Sequence, residues 1–545
     1  MPKTGRHAVL RVNPPNIPIT GMDALLVAFA VLVLALWASS GSRSKRLPPG
    51  PPTLPLLGNL HLVPSTGLHL KYTKWAQTYG SIFSLKIGNW PMIVLNTALD
   101  AGRVMDKRSL HYSDRPASHV IGDLVFEGNH PMFMDANERW KLRRKLYHQI
   151  LQESVCNKQH IPLLEAESAQ LLRDIALEPN DLMLHPGRFS NSIMMSMIFG
   201  VRTPTHNAPH YLKLRDLMTT LSGLGEMGAT PPVDILPMLK YLPEKLWGNW
   251  KTRARLLREK VFKLYSPLVD HVIERRDMGK KLNSFLDGLL EQKDDLGFSR
   301  DEIDVICGNL LEGGTDTMAT LILTLAQAMA LHPEIQAEVH AHLDSVIDDG
   351  KLPTWADYER LPYITMLVKE LHRWRPPAPA GFPHVVDKDD EVDGLRIPKG
   401  SAVIINIWGI HHDADRWQNP ETFNPHRYKQ HTQLASVYAN SGDYQNRDHF
   451  GYGIGRRICP GIHLAERALF LAVARIMWAF SFQQKKDATG KLIPIDVSPA
   501  TGYRDGFLNQ CFPFEVDIKV RSQQRLDTIL ASFAEAEANV FRTFA

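Results

Sequence analysis

The stretch FGYGIGRRICPG, Phe450 to Gly461, gathers four glycines, two adjacent arginines and one cysteine into twelve residues. Gly451, Gly453, Gly455 and Gly461 let backbone amides approach a bound group closely, because no Cβ holds it off. A long apolar helical pattern begins directly after Pro460. A thiolate at a helix start is stabilised by free N–H groups and the dipole, and Arg456 and Arg457 are expected to lower the Cys459 pKa further. Cys459 therefore reads as a metal ligand; the alternative is a buried structural cysteine in a glycine turn.

Tyr452, Gly455, Arg457, Cys459 and Gly461 resemble the cytochrome P450 haem-binding signature, F-x-x-G-x-R-x-C-x-G, whose cysteine is the proximal iron ligand. The signature's aromatic is normally Phe. Tyr452 keeps the ring but adds a hydroxyl that needs a partner when buried.

A second stretch supports the first. From Asp301 to about Leu331, Ile303, Ile306, Leu310, Gly314, Met318, Leu321 and Leu325 recur at helical spacing. Two glycines inside such a helix, Gly313 and Gly314, cost about 1 kcal/mol each relative to alanine, and close approach to a flat cofactor gives a reason for them. The run Gly313 to Thr317 resembles the P450 A/G-G-x-D/E-T motif. The resemblance implies haem contact at Gly313 and Gly314 and proton delivery by Asp316 and Thr317. Taken alone, the run also fits a helix kink with an ordinary Asp and Thr bonded to backbone.

The remaining motifs follow in family order. Trp140 and Arg144 share a helix face at i, i+4 and resemble the W-x-x-x-R pair that reaches the haem propionates. Arg139, Lys141, Arg143 and Lys145 on the same helix suggest a cationic surface for an acidic reductase. Glu370 and Arg373 resemble the E-x-x-R pair, and Arg427 of the F-x-P-x-R segment completes a charge cluster clamping the cysteine loop. His384 stands where relatives bind a propionate, and Ala378 to Phe382 resembles the turn lining the substrate pocket. Residues 113–134 read as an irregular loop, and 161–276 as helices broken near 203–209 and 230–243.

The chain has 545 residues with 62 basic and 58 acidic side chains, a formal charge of +4, so no nucleic-acid footprint is present. Four scattered cysteines show neither disulfide nor zinc spacing. The apolar run from Ala24 to Ala38 spans about 22 Å as helix, short of a roughly 30 Å hydrocarbon core. A signal peptide, a buried helix, or an anchor extended to Ile19 are the candidate readings. Leu47 to Pro52 resembles the proline-rich hinge of microsomal P450s and favours the anchor.

The resemblance implies a predominantly α P450 fold with a small β-rich lobe. Its domains are an N-terminal segment over 1–46 with an anchor near 19–38, a haem-thiolate domain over 47–520, and a tail over 521–545 outside the resemblance. It further implies haem b, electrons from NADPH through a separate P450 reductase, and oxygenation of a hydrophobic small molecule by hydroxylation or epoxidation. The body would lie on the cytosolic side of the endoplasmic reticulum membrane. The wording of the motifs is closest to fungal P450s of secondary metabolism, such as the O-methylsterigmatocystin oxidoreductase group. An oxygen-independent isomerase or dehydratase on the same fold, or a non-enzymatic haem protein, is the alternative; relatives of the first kind tend to lose the acid–alcohol pair kept here.

Overall fold

A computed structural model describes residues 46–544 except Met227 and Phe507, together with residues 27–29 and Val31. The anchor expected near 19–38 lies almost wholly outside the described residues; Val27, Ala28, Phe29 and Val31 are helical and exposed. Among the described residues no single helix is long and apolar enough to cross a membrane.

The β-rich lobe forms first along the chain. After helix α1 (Leu68–Tyr79), strands β1 (Ile82–Ile87) and β2 (Trp90–Leu95) pair antiparallel, with Ile82 opposite Leu95. β2 then pairs in parallel with β6 (Ala402–Ile405), whose other edge takes β3 (His384–Val385), giving the order β1-β2-β6-β3. β6 is an unbroken apolar run buried on both faces, as expected of a central strand with a parallel neighbour. The proline-rich segment is docked on this lobe, not loose. Ser84 donates from its hydroxyl to the Pro48 carbonyl at 2.6 Å, and its N–H to that of Pro49 at 2.7 Å. β4 (Asp390–Val392) and β5 (Leu395–Ile397) form a hairpin, and β7 (Phe480–Gln484) pairs with β8 (Val516–Val520).

Helices make the larger body: α2 (Glu138–Leu151), α3 (Ile161–Leu177), α4 (His185–Phe199), α5 (Pro209–Gly225), α6 (Trp250–Asp277), α7 (Arg300–Leu331), α8 (Pro333–Val346), α9 (Pro362–Trp374) and α10 (Ile462–Ala479). α7 is the central rod. Ser299 caps it in a capping box with Glu302, and the chain turns away at His332 before Pro333. α4 and α10 pack on α7, and α3 packs on both of them, in one continuous apolar core. The expected irregular loop over 113–134 contains a wide π-type turn, His119–Val125, which starts on the Ser118 hydroxyl and buries Val120, Ile121 and Val125 against the body. A further break, at 178–184, separates α3 from α4.

The tail outside the resemblance forms α11 (Gln523–Asn539), capped by Ser522 and packed on the body. Arg525 joins it to Asp344 and Asp349 and donates to the Trp478 carbonyl. Arg173 of α3 lies 4.1 Å over the Phe533 ring, and Arg202 lies 3.2 Å over Phe541.

Candidate functional site

The cysteine loop is a hairpin-like turn closed by Cys459 N–H donating to the Tyr452 carbonyl at 2.8 Å. Gly453 and Gly455 adopt φ of +75° and +70°, which other residues reach only with strain. A Cβ on Gly455 would also fall 2.0 Å from the Met105 carbonyl oxygen, so this glycine permits the loop to lie against the β lobe. Gly461 ends the turn as N-cap of α10 and directs its N–H at the Cys459 sulfur.

The expectation that Arg456 and Arg457 depress the Cys459 pKa is corrected. Burial raises the thiol pKa on balance, and the groups opposing that rise are the Gly461 N–H and Arg144. Arg456 is exposed to solvent. Arg457 is turned away, donating to the carbonyls of Ser113, Pro131 and Met134 and stacking 4.1 Å over Trp140. Trp140 and Arg144 do meet the loop, Arg144 through a bond to the Ile458 carbonyl. The expected cationic surface on α2 is smaller than its sequence: Arg143 is fully buried and pairs with Glu302 at 2.7 Å, leaving Lys141, Lys145 and Arg139 exposed, the last also paired with Glu302.

On α7 the two glycines have different reasons. A Cβ on Gly314 would sit 2.4 Å from the Met194 sulfur, so Gly314 serves the packing of α4 on α7. Gly313 is the residue with open space before it: no atom lies within 4 Å of where its Cβ would be, and it is exposed in the middle of a buried helix. Asp316 and Thr317 continue that partly open face. Burial pushes the Asp316 carboxyl up to about 6, against a smaller lowering by Arg215. Thr317 donates its hydroxyl to the Gly313 carbonyl at 3.0 Å.

Glu370, Arg373 and Arg427 assemble as expected. Arg373 holds Glu370 through Nε at 2.7 Å and Nη2 at 2.8 Å, and Arg427 Nε reaches the same carboxylate at 3.4 Å. His384 is buried, bonded through Nδ1 to the Tyr112 carbonyl at 2.8 Å, and kept neutral by burial with Arg115 and Arg457 nearby. Ala378 and Phe382 are partly accessible on the turn after α9.

Arg115 escaped the sequence reading. Its guanidinium donates to the carbonyls of Phe382 and Pro383 at 3.2 and 2.6 Å. Arg115, Arg144 and Arg457 are held by backbone carbonyls, with no ion pair among the described residues, and burial lowers all three pKa values, Arg115 to about 10 and Arg457 to about 9. Buried guanidinium groups without an anion are costly. This donor set fits the haem that the resemblance implies: a thiol for the metal, three guanidinium groups for carboxylates of the periphery, and an open helix face at Gly313.

The Tyr452 hydroxyl does not bond the sulfur. It finds no partner among the described residues and borders a cavity of about 20 Å³ lined also by Lys369, His372, His449 and Glu466. His372 and His449 stack at 4.4 Å there, and Lys369 pairs with Asp448 at 3.0 Å, a polar cluster that no spacing in the sequence announced.

Comparison with known proteins agrees with this geometry. Residues 48–500 match the family described as Cytochrome P450. The chain is 57% identical to cytochrome P450 monooxygenase anuE of Penicillium roqueforti, over 89% of this chain and 99% of that one. It is 42% identical to cytochrome P450 monooxygenase macC of Penicillium terrestre, over 96% and 98% of the two chains. Its identity to cytochrome P450 monooxygenase patI of Penicillium expansum is 43%, over 94% and 96%.

Proposed function

We propose, from the premise that this chain belongs to the cytochrome P450 family and is a monooxygenase of its fungal secondary-metabolism type, that it oxygenates a hydrophobic polyketide, terpenoid, indole or alkaloid intermediate. The observation that carries this reading is a cysteine on a glycine loop beside half-buried Arg115, Arg144 and Arg457, which have no ion pair among the described residues, together with the open α7 face at Gly313. Haem bound there supplies the redox chemistry that activates O2, and a thiolate ligand favours O–O cleavage.

The chain's own groups divide the remaining work. The Gly461 N–H and Arg144 steady negative charge on the Cys459 sulfur. Arg115, Arg144 and Arg457 would hold the carboxylates of the haem edge; neutral His384 gives its one N–H, at Nδ1, to the Tyr112 carbonyl and has none left to offer them. Asp316 keeps part of its proton population near neutral pH because burial disfavours its anion. Thr317 is fixed at the open face by its bond to the Gly313 carbonyl, where it can take a proton from Asp316 and hand on its own.

Electrons come from a separate NADPH-dependent reductase, and exposed Lys141, Lys145 and Arg456 are the cationic groups offered to it. Incubation with 18O2, NADPH, a fungal reductase and extracts of candidate intermediates is expected to yield a product carrying one labelled oxygen. The same product formed without NADPH and reductase would overturn the monooxygenase reading of this site.

The body lies against the endoplasmic reticulum membrane. Support comes from two adjacent segments rich in exposed apolar side chains: Leu54, Leu56, Leu57 and Leu60, just after the docked proline segment, and Met238, Tyr241, Leu242, Leu246 and Trp247. They adjoin where Ile235 packs on the cluster containing Leu62 and Val63. Patches of this kind mark membrane or protein contacts. Lys240 and Lys245 give trypsin two sites within the second segment. Cleavage there is expected to be blocked in microsomes and restored by detergent; equal cleavage in both would count against membrane contact.

A further inference from the structure

Between Glu302 and Glu312, every residue of α7 is buried except Asn309. It stands one helical turn before Gly313, about 6 Å along the axis, and on the same face as Gly313 and Thr317. Asn309 therefore borders the same open space as the candidate site.

Behind it lies a buried polar network. The Asn309 amide atom placed as Nδ2 lies 3.3 Å from His130 Nε2, and that ring nitrogen also lies 2.9 Å from Glu312 Oε2. The Tyr265 hydroxyl donates to the other Glu312 oxygen. Gly308 makes this reach possible, since a Cβ there would fall 2.1 Å from the Tyr265 ring. His130 is 2% exposed and packs against Phe126 and Phe133, with centroids at 4.5 and 5.3 Å.

The tautomer decides what Asn309 presents. The Met132 N–H donates to His130 Nδ1 at 3.3 Å, so Nδ1 is the acceptor and Nε2 carries the proton of the neutral ring. That proton goes to Glu312. An amide NH2 facing an N–H would set donor against donor; the amide oxygen facing it completes a shared hydrogen bond. Amide orientation is assigned from such networks. The Asn309 oxygen thus faces His130, and its NH2 faces the open space.

We infer that Asn309 is a specificity-determining residue: a hydrogen-bond donor, oriented by His130, Glu312 and Tyr265, that holds an acceptor oxygen of the substrate. The substrate is then an apolar molecule bearing a carbonyl, ether or hydroxyl oxygen, not a plain hydrocarbon. This rests on the reading of the Gly313 face as the oxygenation site. A polar group built to bond a ligand oxygen discriminates strongly against the analogue lacking it.

The test uses full-length holoenzyme and the haem absorbance shift on ligand binding, with matched aromatic ketones and hydrocarbons such as 2-acetylnaphthalene and 2-isopropenylnaphthalene. The ketones accept hydrogen bonds but cannot donate. Wild type is expected to prefer the ketone members. Asn309→Leu is expected to weaken them by about tenfold, the worth of one well-made hydrogen bond, and to leave the hydrocarbons within about twofold. Asn309→Asp, which keeps an oxygen acceptor and loses the N–H groups, should weaken the ketones as much. Equal weakening of both classes by Asn309→Leu, a wild-type preference for hydrocarbons, or ketone binding undiminished in Asn309→Asp overturns the inference. A holoenzyme that shows no shift with any member and forms no labelled product overturns the site reading beneath it.

Discussion

Cys459→Ser is expected to abolish oxygenation to background while leaving the fold of the haem-free chain intact. Both halves follow from the geometry. Sulfur accepts the Gly461 N–H and sits near Arg144. A serine oxygen is close in shape and accepts the same bond, so the loop, closed by its backbone bond to Tyr452 and shaped by Gly453 and Gly455, retains its conformation. Thermal unfolding of the apoprotein should shift by no more than about 1 kcal/mol, as for substitutions that neither open a cavity nor bury an unpaired group. What serine lacks is a soft, readily ionised ligand for iron. Turnover that persists in Cys459→Ser with normal haem content would remove Cys459 from its assigned role.

Glu370→Ala is the second large effect, and it falls on stability. Glu370 and Arg373 are each wholly buried, and Arg427 closes on the same carboxylate. Deleting the carboxylate leaves the Arg373 guanidinium buried without its anion, the situation that costs about 3–5 kcal/mol. It also deprives the Asn424 N–H of an acceptor at 2.8 Å. Native proteins are stable by only about 5–15 kcal/mol, so little soluble holoprotein is expected at growth temperature. Glu370→Gln keeps one acceptor oxygen and puts an NH2 where the other stood, and should fall between. Chemical unfolding of the recovered variants measures the difference; an alanine variant within about 1 kcal/mol of wild type would contradict a structural clamp here.

Local patterns were legible in the sequence and convergent ones were not. The cysteine loop, the Gly313 to Thr317 run and the Glu370–Arg373 pair each sit on one element, where spacing alone places the side chains. Arg427 was legible only through the family segment around it. Arg115 meets carbonyls 267 and 268 positions away, and His130 meets Asn309 across 179. No periodicity records such meetings. Gly314 shows the limit of a local signal: a glycine in a helix marks close approach without saying to what, and the side chain packed against it is Met194. Arg143 shows the converse. A charge among charges on a helix reads as solvated, yet the helix rotation turned this one inward to Glu302.

The C-terminal helix bears on how the chain is made. Synthesis delivers α11 only after α3, α4 and the cysteine loop have left the ribosome. Until then, the faces of Arg173 and Arg202 that will meet Phe533 and Phe541 stay uncovered. Arg202 also binds Glu167, which anchors Arg188 and Ser192 between α3 and α4. Residues 521–544 thus act as a late seal on a seam made early, and a nascent chain stalled before residue 521 should be nicked by protease at that seam while the released chain resists. Closure of the α3–α4 seam thus depends on a segment that touches none of the chemistry.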